Sequence, residues 1–404
     1  MSPSTSETAD VVVVGGGTLG GWCALFLAQA QAGRVVLLER SALGRGASSR
    51  AAGMVRAQGG THVAVRLGMW SIDFYRNQRE TLGVDSGFVQ QGYFMPVFDD
   101  HEVDVAHERL DMQRSVGLEV EWVEPDRVSE LNPTMAESCC LGGTFAPGDG
   151  YIDPPRNVLA YSLALARSGV EVREGTAFLG LGVSSGRVTG VETTSGAIAT
   201  DRVVLTGGPE LAQVGRLAGS TIPAGGARHQ VAVTEPCPHL EPASHPMVFD
   251  VGAGIYWRPE DGGLLFGMSN PDEKPGTADS VDWDYLAHVR QRLSYLVPGT
   301  RKLGLRKVWA ATIDFTPDHL PILGPLVVSA CETIEGTVVA SAGGHGMMWG
   351  PAVARAAADL CLEGKTEVAD TADLGLDRFG PDGSSRLAPD PIALPFPPLT
   401  ERIP

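Results

Sequence analysis

After a polar decapeptide the chain sets four valines in a row, Val11 to Val14, a run with the length of a strand buried on both faces. A glycine-rich turn follows, then an Ala- and Leu-rich run that Gly33 is placed to end, and a second apolar run from Val35 to Leu38. Strand, tight turn, helix and strand in that order make a βαβ unit. Residues 62–82 carry apolar positions at helical spacing, whereas the stretch to about residue 150 reads as loop-rich with several short strands. Pro155 suits the first turn of a further helix, which leads into another strand. A meander follows around the turn signals Ser185-Gly186 and Ser195-Gly196. Residues 226–315 are strand-rich, with one amphipathic helix near "WDYLAHVRQRLSYL". The run "TVVASAGG" and the Ala-rich helix closed by Gly364 return to the pattern of the N-terminal part. Beyond about residue 377 prolines crowd the sequence, which predicts an extended or disordered arm.

These elements predict two interleaved α/β and α+β domains, which 404 residues are enough to build. One takes residues 9–85, 151–225 and 316–376, the other takes 86–150 and 226–315, and 377–404 form a Pro-rich C-terminal arm.

Composition then narrows the function classes. Apolar residues make up 43% and charged residues 20% of the chain, which describes a globular protein. A net charge of -17 opposes phosphate backbones and anionic membranes, so neither is an expected partner. Residues 11–33 are uncharged and long enough to span a bilayer, but their six glycines divide them into strand, turn and helix. The six cysteines include no C-x-x-C pair, and Cys139 and Cys140 are adjacent, which points to reduced thiols and a cytoplasmic location. The N-terminus lacks a signal-peptide pattern. Nine scattered histidines show no metal spacing, His101 and His107 stand too far apart for one helix face, and no metal is expected. Nucleophile-elbow, Walker and H-E-x-x-H motifs are missing.

The chemistry starts at Gly15-x-Gly17-x-x-Gly20, which follows a strand and opens a helix, with Glu39 nineteen residues beyond Gly20. Gly15 permits a tight turn, Gly17 lets the amides near Thr18 and Leu19 approach a pyrophosphate, and Gly20 allows close packing of helix on strand. Glu39 is placed to accept hydrogen bonds from ribose hydroxyls. Dinucleotide binding follows, although the fingerprint does not choose between NAD and FAD.

Five ordered segments make that choice: the fingerprint ending in Glu39-Arg40, "GASSRAAGMVR", "DRVVLTGGPELAQVGRLAG", "TPDHLPILGP" and "SAGGHGMMWGPAVA". In order and spacing they resemble the FAD-dependent amine-oxidising family of sarcosine, dimethylglycine, glycine and D-amino acid oxidases, with a pattern most similar to the sarcosine oxidase β-subunit. The resemblance implies a glutathione reductase-like (Rossmann-type) FAD domain interleaved with a D-amino acid oxidase-like, strand-rich substrate domain. It adds Ser48, Ser49, Arg50, Gly53, Met54, Phe178, Gly207 and Gly208 to the expected FAD contacts, and brings Gly343, Gly344, His345, Gly346 and Met347 beneath the isoalloxazine and ribityl chain. A turn residue satisfied locally is the other reading of His345.

The same resemblance implies a substrate pocket of Arg56, Tyr256, Trp257, His345 and Met348. Arg56 falls where relatives grip a substrate carboxylate, with a surface salt bridge as the alternative. Met348 and Leu265 occupy positions where relatives carry lysines, so a dehydrogenase or slow oxidase is as open as an oxidase. If Trp257, Met348 and Trp349 line the pocket, a bulky or hydrophobic amine is expected; the alternative buries one of Tyr256 and Trp257 in the domain core. Asp318 and His319 read as a loop near the flavin. Arg50 and Ala311 stand where relatives tether FAD, so the cofactor is expected to be non-covalent. The implied reaction passes a hydride from the carbon beside nitrogen of a secondary or tertiary amine to flavin N5, giving an imine, with oxygen or another acceptor taking the electrons. It needs no prominent acid or base, and no residue stands out as one. The alternatives are a D-amino acid oxidase or dehydrogenase acting on a primary amine, and a flavoprotein subunit of an oligomer or hetero-complex.

Overall fold

The fold is that of a computed structural model describing residues 7–237, 240, 245–278, 280–328, 332–397 and 399. Val11–Val14 pairs in parallel with Val35–Leu38 on one side and Val203–Leu205 on the other, and Thr333–Ser341 lies beyond Val203–Leu205. They belong to a ten-stranded sheet whose parallel centre draws on distant parts of the chain. Strand alternation splits the valines. Val11 and Val13 pack under the helices Thr18–Gln29, Pro154–Ser168 and Gly350–Glu363, while Val12 and Val14 meet Phe178, Val191 and Ile198 of the meander side.

The second sheet has eight strands in the order Leu305–Phe315, Gly225–Thr234, Gly263–Met268, Ile255–Glu260, Met247–Asp250, Tyr93–Pro96, Gly143–Ala146 and Glu121–Val123. Segments from the regions 86–150 and 226–315 therefore share one sheet, joined where Met247 lies beside Tyr93 in parallel. The helix Trp283–Leu296 packs on one face, held at its start by Asp282, whose amide donates to Gln230 at 2.9 Å. No helix among the described residues is long and apolar enough to cross a membrane.

Two expectations change. The stretch read as loops and strands contains the helix Asp100–Ser115, on which His101 and His107 both lie. It is polar nearly all round, with only Ala106, Leu110 and Gln113 buried, so it carries no apolar stripe to betray it. Its start is nevertheless written locally: the Asp99 carboxylate accepts from Glu102 N, and the Glu102 carboxylate accepts from Phe98 N.

The described part of the Pro-rich end is neither extended nor disordered: it folds through turns such as Gly383 N on the Gly380 carbonyl and Ala393 N on the Asp390 carbonyl, and it is docked. Arg378 and Asp318 form a fully buried ion pair at 2.7 Å, and Asp390 N donates to the Asp318 carbonyl at 3.0 Å. Ile392 is buried in the core of the strand-rich sheet, and Phe396 stacks on Phe315 with ring centroids 5.2 Å apart. Residues 398 and 400–404 lie outside the described residues.

Burial by itself would raise the Asp318 carboxyl, but the Arg378 guanidinium overrides it and holds the group below its usual value. A depressed carboxyl stabilises the fold above the unfolded-state pKa and loses that contribution as pH falls through the folded one. Arg378→Met should therefore lower unfolding stability by about 3–5 kcal/mol at neutral pH, with the difference from the wild type shrinking on acidification. Urea titrations across the acid range measure both.

Candidate functional site

Between the sheets lies a cavity of about 960 Å³, lined from both. At one end is the glycine turn. Gly15 has φ 101°, and a Cβ there would lie 2.5 Å from Thr206 Oγ1. A Cβ on Gly20 would lie 1.9 Å from the Gly15 carbonyl oxygen. Only glycine at both positions lets the helix begin against the strand end. That helix starts at Gly17 with no side-chain cap, and the Thr18 amide meets Ser48 Oγ at 2.9 Å. The positive helix terminus thus faces the cavity. Glu39 accepts from the amides of Gly16 and Ser41, both at 2.8 Å, which fixes its carboxylate at the strand end. Arg40 pairs with Glu210 at 2.5 Å.

Leu19, Arg50, Gly53, Met54, Phe178, Gly207, Gly208, Gly344, Gly346 and Met347 also line the cavity, with Gly15, Gly17, Thr18, Gly20, Glu39, Arg40 and Ser48. Gly46 and Gly346 are the informative glycines here. Neither has a positive φ, and a Cβ on either would meet nothing within 4 Å. No protein atom requires glycine at these two positions, whereas a flat ligand lying against the backbone would.

At the other end Arg56 is 2% exposed, so the surface salt bridge is excluded. Its guanidinium donates to the carbonyls of Gln58 and Ile392, the latter at 2.7 Å, and lies 5.7 Å from the Phe249 ring centre. Among the described residues it has no carboxylate partner. His345 is buried and tilted over Trp349 at 4.2 Å, with Nδ1 3.2 Å from the Gly343 carbonyl. Burial, reinforced by Arg56, lowers its pKa well below the ordinary value, so the ring is neutral. Nδ1–H donates to Gly343, and Nε2 has no partner among the described residues.

Two polar groups were not read from the sequence. His229 Nε2 lies 2.6 Å from the Tyr256 hydroxyl, and its Nδ1 lies 2.9 Å from Ser269 Oγ. Burial pushes His229 down to about 4 and the Tyr256 phenol up, so both are neutral, with the phenol donating to Nε2. Asp314 lines the cavity and accepts from Ser341 Oγ at 2.8 Å, and burial raises its pKa. Strand alternation in "GGARHQVAVT" puts His229 on one face with Val231, but its partner is distant in sequence.

Several expected positions do not line the cavity. Trp257 is fully buried on the sheet face opposite Tyr256, because neighbours in a strand point to opposite sides. Ser49 falls between the lining residues Ser48 and Arg50. Gly343 makes the turn itself, with φ 58° and a Cβ position 2.7 Å from the Leu320 carbonyl. Met348 does line the wall, while Trp349 is buried behind His345 in the helical core. Leu265 is paired with Arg258, and Ala311 with His229; both are buried and neither lines the cavity. Asp318 is committed to Arg378, and His319 stacks on Phe396 at 5.4 Å.

A family model described as FAD dependent oxidoreductase matches residues 10–360. The chain belongs to this family. Its fold is D-amino acid oxidase-like, and the family's cofactor is FAD. The chain is 28% identical over 389 residues to the 4-methylaminobutanoate oxidase (formaldehyde-forming) of Paenarthrobacter nicotinovorans, covering 93% of this chain and 46% of that one. It is 29% identical over 383 residues to the glycine oxidase of Geobacillus kaustophilus, covering 91% and 97%. The solved L-proline dehydrogenase from P. horikoshii matches with a TM-score of 0.84 at 25% identity, covering 92% of this chain and 98% of that one. The chain spans about half the length of the methylaminobutanoate oxidase and of the rat dimethylglycine dehydrogenase that it also matches, 46% of each. A helix start whose N-cap glycine has no side chain to cap it, a fixed acid at the next strand end and two unforced glycines fit FAD.

Gly346→Ala should leave the unfolding temperature of the apoprotein unchanged while raising the flavin Kd about tenfold, equivalent to about 1.4 kcal/mol. Gly20→Ala, which meets backbone at 1.9 Å, should lower both stability and flavin retention. Thermal melts with and without FAD, read beside visible absorbance after gel filtration, separate the two cases.

Proposed function

We propose that the chain oxidises the C–N bond of a secondary or tertiary amino acid, sarcosine-like or cyclic, whose carboxylate docks on Arg56. The supporting observation is the Arg56 guanidinium itself: buried, facing the cavity, and in no ion pair among the described residues, while Asp149, the buried carboxyl that feels its charge, is pushed up to about 7 by burial and accepts from Ala57 N. A buried cation in no ion pair is costly, and a substrate carboxylate would supply the pair. Among the relatives, one is named for 4-methylaminobutanoate and another for L-proline, an N-methyl amine and a cyclic amine, each with a carboxylate.

FAD, when bound, supplies the acceptor for the hydride leaving the carbon beside nitrogen. The residues bind, orient and exclude water. Gly344, His345, Gly346 and Met347 form the floor on which the ring system would lie, and the bare His345 Nε2 can accept a hydrogen bond but holds no proton. Tyr93, Phe249, Tyr256 and Met348 wall the amine end with largely apolar surface. His229 keeps the Tyr256 proton directed at Nε2, and neither group is a strong base at neutral pH. The amine therefore reacts unprotonated, the form that a dry pocket favours. We also place Ser48, Arg50, Met54 and Phe178 against the cofactor, which is held without a covalent bond because Arg50 and Ala311 offer no tether.

A second reading is a flavoprotein subunit that passes electrons to a partner. Its subunit part is supported by 25% identity over 392 residues to the mouse pyruvate dehydrogenase phosphatase regulatory subunit, a protein named as a subunit, covering 94% of this chain and 44% of that one. Turnover in air against turnover only with an added acceptor separates the readings. A cytoplasmic setting is in keeping with cysteines that are all free among the described residues.

Arg56→Met should raise the concentration of sarcosine or proline needed to bleach the flavin without oxygen by about a hundredfold or more, as for a broken buried charge pair. Reduction by carboxylate-free amines should not weaken. Equal loss for both amine sets would remove the carboxylate anchor. Acid precipitation should leave the yellow colour in the supernatant; colour in the pellet would establish a covalent bond.

A further inference from the structure

The family match ends at residue 360, yet a later segment reaches the amine end of the cavity. Leu394 lines it, and the Ile392 carbonyl accepts from Arg56 at 2.7 Å, which places residues 390–396 beside the cation that would hold the substrate. The segment is clamped on both sides of Leu394. Before it, Asp390 N is bonded to Asp318, Asp390 Oδ1 accepts from Ile392 N at 3.0 Å, and the Ile392 side chain is fully buried. After it, Pro395 lies where a Cβ on Gly254 would meet it at 2.6 Å, and Phe396 stacks on both Phe315 and His319. Leu394 is half-buried between these anchors, so the backbone that carries it is fixed and its side chain packs against the cavity wall.

We infer that residues 390–396 are a specificity element and that Leu394 limits the size of the amine the pocket accepts. The inference deepens the amine-oxidation reading and rests on it for the substrate class. Apolar walls discriminate by the volume they leave, with about ten- to two-hundredfold per methylene in well-fitted pockets. A side chain donated from outside the family's matched core is a place where chains of one fold can differ in substrate without altering the flavin site.

The test uses flavin-loaded full-length protein as wild type, Leu394→Ala and Leu394→Trp, with N-alkylglycines from N-methyl to N-butyl as substrates. Unreactive carboxylates of graded size are titrated in parallel, and their binding is read from perturbation of the flavin spectrum. Leu394→Ala should raise the kcat/KM ratio of N-butylglycine to N-methylglycine about tenfold or more, and Leu394→Trp should lower it. The spectral dissociation constants should shift in the same size order. If amines bleach the flavin and both variants keep the wild-type ratio, the inference is overturned while the amine reading stands. If no amine bleaches wild-type flavin but the carboxylates bind with a size order that both variants shift, the amine reading fails and Leu394 remains the wall.

Discussion

The steric contact between Gly20 and the Gly15 carbonyl governs the rest of this structure. A Cβ at 1.9 Å from a backbone oxygen cannot be accommodated, so glycine alone allows the first helix to begin directly at the end of the first strand. Once the helix starts there, its positive end opens on the cavity and Glu39 comes within 2.8 Å of the turn's own amide. The same helix then packs beside Gly350–Glu363, and the residues leading into that last helix, Gly344 to Met348, are brought to the opposite wall of the same cavity.

The strand-rich sheet does a different physical task. It excludes water around a few polar groups and thereby sets their charge states. His229, Tyr256 and His345 are all neutral because burial penalises their charged forms, and no nearby charge reverses it. Arg56 stays a cation in the same surroundings, satisfied in part by two backbone carbonyls. A cation among neutral aromatic and imidazole groups is selective for an anionic group with an apolar body, which is the shape of the substrate proposed for this chain.

The C-terminal segment ties these parts together. Its anchor, Arg378 on Asp318, also donates to the carbonyls of Leu320 and Leu374 in the helical core, while Ile392 is buried in the core of the eight-stranded sheet, so the segment spans the two cores between which the cavity lies. Proline-rich composition is compatible with disorder and with a docked chain, and only the burial of its apolar residues separates the two. Composition did not contain that information.

What the sequence determined by itself was local: the βαβ unit, the helix at His62–Leu82, the meander and the family resemblance, each written in consecutive residues and their spacing. The helix Asp100–Ser115 was written locally too, in the Asp99 and Glu102 cap, but its lack of an apolar face hid it from a reading by hydrophobic period. Tertiary structure alone decided that Tyr256 faces the cavity and Trp257 the core, since strand alternation names two faces without saying which one is covered by what. It also decided the pairing of His229 with Tyr256, the burial of Arg56 and the arrival of Leu394, because each joins residues that only folding brings together. Local pattern reports how a segment prefers to fold, whereas a site assembled across two sheets depends on which segments meet.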